Sequence, residues 1–157
     1  MPDEDLVLLL NDVRNKTLRL LDGVGDAESR WAPAGLQNTI LWHAGHVFVV
    51  NEHMTFSNIG GKCVSYPEGW FECFSWKSQP ALVKRWPALS QVIGQLQEQL
   101  ERIRAVVQGL TAEQLGQMVG DPARKRSLRW CILHALHDEA NHQGEMWLLK
   151  KMYGKRG

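Results

Sequence analysis

Charge of one sign is what this 157-residue chain lacks most: 18 Lys and Arg stand against 17 Asp and Glu, a formal net charge of +1. Without a basic surplus there is no bulk attraction to nucleic acid or to an anionic membrane surface, and neither is expected as a partner. The runs Arg124-Lys-Arg126 and Lys155-Arg156 are too short to change that and read as solvated. Long apolar runs are missing too, since nothing approaches the roughly 20 residues that a membrane span requires. Leu6 to Leu10 is apolar, but acids precede it and no small-residue cleavage site follows, so no signal peptide is expected. Cysteine is scarce: Cys63, Cys73 and Cys131 are odd in number and lack metal-type spacing. Reduced thiols in a cytoplasm are the expectation, with a Cys63–Cys73 disulfide as the minor alternative. Segments of strand period and internal repeats are also absent.

What is present is helix-period apolar patterning in a chain long enough for one domain, residues 1–157. Leu6, Leu9, Leu10, Val13, Leu20 and Leu21 mark a first helix over Glu4 to Leu21, with Asp3 as its N-cap and Asp22-Gly-Val-Gly25 as its end. A second helix opens at Asn38 or Thr39, runs to about Phe56 and stops at Asn58-Ile-Gly-Gly61. Residues 60 to 80 form a long loop holding Tyr66, Trp70, Phe71, Phe74 and Trp76, too many rings for a solvated linker. That loop is expected to fold over an opening in the domain. A third helix starts at Pro80, kinks near Pro87 and continues to about Gly109. Thr111-Ala-Glu-Gln114 is a capping-box pattern for a short helix. Ser127 caps the last helix, from Leu128 to about Tyr153, with Gly154 as its C-terminal cap. Four long helices make an all-α chain, a four-helix bundle.

The stretch from His134 to Glu145 packs three histidines and three acids into twelve residues of that last helix. Asp138 and His142 are one turn apart and project from nearly the same side, so a carboxylate oxygen and an imidazole nitrogen can converge on one ion. His134 is a further turn back and Glu145 three residues ahead on the same stripe, whereas His137 is rotated off it. Two donors are not a metal site, and the partner segment is Ile40 to His53. There His43, His46 and His53 share one helical face that is otherwise apolar. All six histidines of the chain lie in these two segments.

Trp42-His-Ala-Gly-His46, His142-Gln-Gly-Glu145 and the aromatic loop Trp70-Phe-Glu-Cys-Phe-Ser-Trp76 together resemble the DinB-like superfamily of metal-binding four-helix bundles. The match runs in order and spacing over nearly the whole chain. The resemblance implies an up-down-down-up bundle, a divalent metal held by His46 and His142, and paired bundles, that is, a homodimer. Asp138 stands where the family commonly has its other histidine, and Glu145 replaces the usual Gln. A carboxylate keeps a metal-capable donor and hardens the site, and two histidines with one carboxylate leave coordination positions open. Zinc or nickel is the expected ion.

Each site residue also has a plainer reading. His46 and His142 can be buried histidines hydrogen-bonded in a helix interface, and Asp138 a carboxylate that orients a ligand histidine. His43 and His134 are expected to line the pocket or support the ligands. Glu145 either accepts a proton as a catalytic base or bonds a ligand ring. Cys131 reads as a small buried hydrophobe, and Trp42, Trp130 and Trp147 as packing. The resemblance implies transfer of a low-molecular-weight thiol to a small electrophile, or metal-assisted hydrolysis. The competing class is a non-catalytic bundle that binds a metal or ligand as a stress or assembly protein.

Overall fold

The structure, a computed structural model, describes residues 3–59 and 64–156 and is mostly helical. Helix α1 (Glu4–Leu21) begins where the Asp3 carboxylate accepts the Leu6 N–H, and the chain turns away at Gly23, whose φ of +73° suits glycine. A single turn, α2 (Asp26–Ser29), follows. Helix α3 (Ile40–Phe56) starts at Thr39, whose hydroxyl accepts the Trp42 N–H. Helix α4 (Trp70–Phe74) is short, and Pro80–Leu82 form one 3-10 turn. Helices α5 (Leu89–Gln108), α6 (Ala112–Gly116) and α7 (Leu128–Gly154) complete the chain. Thr111 and Gln114 cap α6 reciprocally, and the Ser127 hydroxyl accepts the Trp130 N–H at the start of α7.

The structure differs from the sequence expectation in four places. The third long helix begins at Leu89 rather than Pro80, so Pro87 precedes the helix instead of kinking it. Proline disfavours helical geometry in the residue before it, and the Gln91 side chain caps the Ala88 N–H just beyond. The last helix includes Gly154, and Lys155 takes the capping position. Two strands of two residues each, β1 (Met118–Val119) and β2 (Arg126–Ser127), pair antiparallel, with Met118 opposite Ser127. They are too short to show a period of two. The aromatic segment before Pro80 is also less a cover than a piece of core: Trp70, Cys73 and Phe74 are buried, and α4 packs on α3. Cys63 lies outside the described residues, and the Cys63–Cys73 alternative with it. Cys73 and Cys131 are buried free thiols.

Helix α3 packs against α7 and α5, and α1 against α5 and α7. Their apolar residues fall into two clusters. One gathers Leu21, Val47, Phe48, Phe74, Leu96 and Met146, and the other Leu6, Leu10, Phe56, Ile103, Leu128 and Leu136. Between them along the helices lies a buried polar layer. Arg14 of α1 donates through Nε and Nη2 to both carboxylate oxygens of Glu139, at 2.8 and 3.0 Å, and neither side chain has any exposure. Its Nη1 donates to the Leu96 carbonyl, and Nη2 also to Gln99. Thr17 and Asn51 donate to Glu139 as well. Gln99 in turn donates to Glu52, which Arg102 clamps through two nitrogens. Gln143 closes the layer by donating to Thr17 and to the Val13 carbonyl.

Removing one partner of such a pair strands a buried charge, at a cost of about 3–5 kcal/mol. We expect Arg14→Met to lose about that much stability in urea unfolding. The double variant Arg14→Met/Glu139→Leu should recover a measurable part of it, because the sites are coupled. A loss under about 1 kcal/mol for the single variant would show that the layer is not the main cross-helix tie.

Candidate metal centre

The α3–α7 interface brings three of the expected donors together. His46 Nε2 lies 3.9 Å from Asp138 Oδ2, and His142 Nε2 lies 3.6 Å from the same oxygen. Candidate ligand atoms of His46, Asp138 and His142 all fall within 4.8 Å of one another. Donors bound at about 2.0–2.1 Å in a tetrahedron sit about 3.3 Å apart, so this spacing needs only a small contraction around a divalent ion. Asp138 Oδ2 is also buried and has no hydrogen-bond partner. An orphaned carboxylate oxygen facing two imidazole nitrogens is the observation that most directly fits a cation.

The far side of each imidazole is committed. His46 Nδ1 donates to the Phe74 carbonyl at 2.6 Å, which leaves its Nε2 lone pair facing Asp138. His142 Nδ1 and His43 Nδ1 are 2.8 Å apart, so one must donate and the other accept. Burial, reinforced by the neighbouring His142 and His46, pushes the His43 pKa down to about 3 and keeps that ring neutral. With His43 as acceptor, His142 carries its proton on Nδ1 and presents Nε2 as a lone pair. Burial also lowers the His142 pKa, against the opposing pull of Asp138. Trp42 stacks on His46 with ring centroids 4.6 Å apart and planes at 18°, and its Nε1–H donates to the Ser78 hydroxyl.

Gly45 explains how α4 comes so close. A Cβ at that position would fall inside the van der Waals envelope of the Phe74 ring. The absent side chain lets α4 seat against α3, and that contact delivers the Phe74 carbonyl to His46.

The remaining expected residues divide. His43 supports His142 and lines a cavity of about 440 Å³ together with His142, Glu145 and Trp42. Glu145 is exposed on that wall. His134 does not line the pocket: it is exposed and stacks on Trp130, centroids 4.6 Å apart. His137 is exposed, and His53 sits apart, near the Tyr66 hydroxyl and Trp76. Cys131 is buried and its thiol pKa is raised by burial, which suits packing rather than a nucleophile. The Phe74 carbonyl and the Ser78 hydroxyl were not foreseeable, because a backbone acceptor has no residue signature and Ser78 is one hydroxyl in a loop.

Fold and site thus define a helical protein with an open His/Asp/His metal-site candidate. The chain matches the DinB superfamily over residues 9–146 and belongs to it. Members of that superfamily generally bind metal. Among solved structures, a DinB-like protein from Bacillus subtilis is similar, with a TM-score of 0.65 and 16% identity. The alignment covers 98% of this chain and 94% of that one, and at this identity the likeness speaks for the fold alone. No curated protein matches the chain. No helix among the described residues is long and apolar enough to cross a membrane.

Two outcomes follow from the supporting contacts. Gly45→Ala should destabilise the protein by about 1–3 kcal/mol in thermal unfolding and weaken metal uptake, because Phe74 must move. Unchanged stability would mean that α4 yields freely. His43→Leu removes the acceptor for His142 and should lower metal affinity by about 10–100-fold in competition with a chelator. Affinity within about twofold of the parent would remove His43 from the support of His142.

Proposed function

We propose that this protein binds one divalent ion, zinc or nickel, through His46, Asp138 and His142, and that it is a metal-dependent transferase of a low-molecular-weight thiol onto small electrophiles. The scaffold in this reading is the DinB-like four-helix bundle with up-down-down-up order. Contacts that support that order are those of α1 alongside α7, where Val13 meets Gln143 and Leu20 meets Lys150, and of α3 against α7, where His43 meets His142 and His46 meets Asp138. The first pair of contacts advances in the same direction along both helices, and the second in opposite directions. A cytoplasmic homodimer belongs to the same reading: the pairing comes from the family resemblance, and the compartment from the scarce cysteines, odd in number.

The observation that carries the proposal is the orphaned Asp138 Oδ2 held between two imidazoles, one of which, His142, lines a cavity large enough for a small molecule. Three protein donors leave coordination positions open, as catalytic sites do. A divalent ion there would lower the pKa of a thiol or water reaching those positions. This chain's own residues do the rest. His43 fixes the His142 ring, Phe74 and Trp42 fix His46, and the Glu145 carboxylate on the cavity wall takes up the thiol proton. Metal-assisted hydrolysis uses the same machinery with water in place of the thiol. A non-catalytic metal-binding protein keeps the ligands and needs no proton acceptor.

Elemental analysis of the purified protein, followed by thiol-consumption assays with 1-chloro-2,4-dinitrobenzene, tests the reading. We expect near-stoichiometric zinc or nickel that is lost in His142→Ala, and turnover that falls at least about tenfold in Glu145→Gln with metal retained. Metal-loaded protein that consumes neither thiol nor ester substrates would favour the non-catalytic alternative. Protein that takes up no divalent ion would remove the site itself.

A further inference from the structure

A second cavity, of about 290 Å³, is also lined by the site's tryptophan. Its walls include Leu41, Trp42, Pro80, Ala81 and Trp86, and its one charged lining residue is Arg30. Both indoles are anchored in place. Trp42 is fixed by its bond to Ser78 and its stack on His46, and Trp86 rests on Phe74 with ring centroids 5.6 Å apart. Rings already held by their neighbours lose little conformational entropy when something stacks on them, which is how aromatic sites gain affinity.

The charge there is partly paired. Arg30 Nε donates to both oxygens of Asp26 at 3.0 and 3.1 Å, and Nη2 to the Pro87 carbonyl. A single half-paired guanidinium on an otherwise uncharged wall suits a neutral or singly anionic occupant and disfavours a cation. The size and lining therefore fit one flat ring system with at most a single polar substituent.

This cavity is not independent of the metal-site candidate. Gln37 and Trp42 line it and also line the cavity that holds His43, His142 and Glu145. From this shared wall we infer that the Trp42–Trp86 cavity is an acceptor subsite, which holds the planar aromatic part of a substrate whose reacting atom lies at His46, Asp138 and His142. As a subsite it rests on the transferase reading, whereas the binding of an aromatic ring there does not. The chain thus selects flat aromatic electrophiles over aliphatic ones of equal reactivity.

Isothermal titration with 2-naphthol, a planar uncharged probe, separates the two claims when run on metal-free and metal-loaded protein and on two variants. Ala81 is exposed, so Ala81→Phe fills the cavity from its rim without disturbing the core. We expect saturable binding to the parent with or without metal, retained in His142→Ala and at least tenfold weaker in Ala81→Phe. In the parent, the indole N–H resonances of Trp42 and Trp86 should shift on titration while those of Trp130 and Trp147, exposed on α7, stay in place. No saturable binding, full affinity in Ala81→Phe, or shifts confined to other tryptophans would each overturn the subsite. Failure of metal uptake with naphthol binding intact would count against the metal reading alone.

Discussion

Arg14 has no exposed surface, and four of its hydrogen bonds go to groups on two other helices. A guanidinium in that position is tolerable only because Glu139 neutralises it and the Leu96 carbonyl and Gln99 take two more of its donors. The pair sits in a layer to which every long helix contributes: Arg14 and Thr17 from α1, Asn51 and Glu52 from α3, Gln99 and Arg102 from α5, Glu139 and Gln143 from α7. Apolar contact on either side is not directional and by itself sets the helix register less sharply. The polar layer cannot slide or rotate by a residue, because each shift would leave a buried donor or acceptor unpaired.

That constraint is what aims the site. Glu139 and Gln143 face α1, and each is the residue following a candidate ligand, Asp138 and His142. A helix turns by about 100° per residue, so pinning 139 and 143 toward α1 turns 138 and 142 toward α3. On the opposite wall, the bare Cα of Gly45 admits Phe74, whose carbonyl fixes the His46 ring. The two histidines and the aspartate are therefore oriented from three directions: by the polar layer, by α4 and by His43. Convergence of this kind leaves a buried oxygen of Asp138 without a proton donor, a cost that a cation at the site would offset.

Much of this was legible in the sequence, and the exceptions have physical reasons. Helix caps at Asp3, Thr39, Thr111 and Ser127 are local chemistry, so the first, second and last long helices began where the residues said. The start of α5 was misplaced because apolar spacing continues through Pro80 to Trp86, while the proline at 87 forbids the geometry. Asp138 with His142 followed from a one-turn spacing, and His46 from its motif. His134 failed because two turns of a straight helix accumulate about 80° of drift from His142, enough to carry it out of the groove and onto Trp130. Glu139 looked like one acid among three. Its partner is 125 residues away in sequence, and a long-range ion pair carries no local signal.

If these contacts do orient His46, Asp138 and His142 as one metal-binding unit, the ion must sit among those three side chains. X-ray absorption at the metal edge of zinc- or nickel-loaded protein tests it most directly. The expected result is a first shell with two imidazoles and at least one oxygen, no sulfur, and no bound ion left to observe in His142→Ala. A shell containing sulfur, or one unchanged by that substitution, would place the ion elsewhere and contradict it.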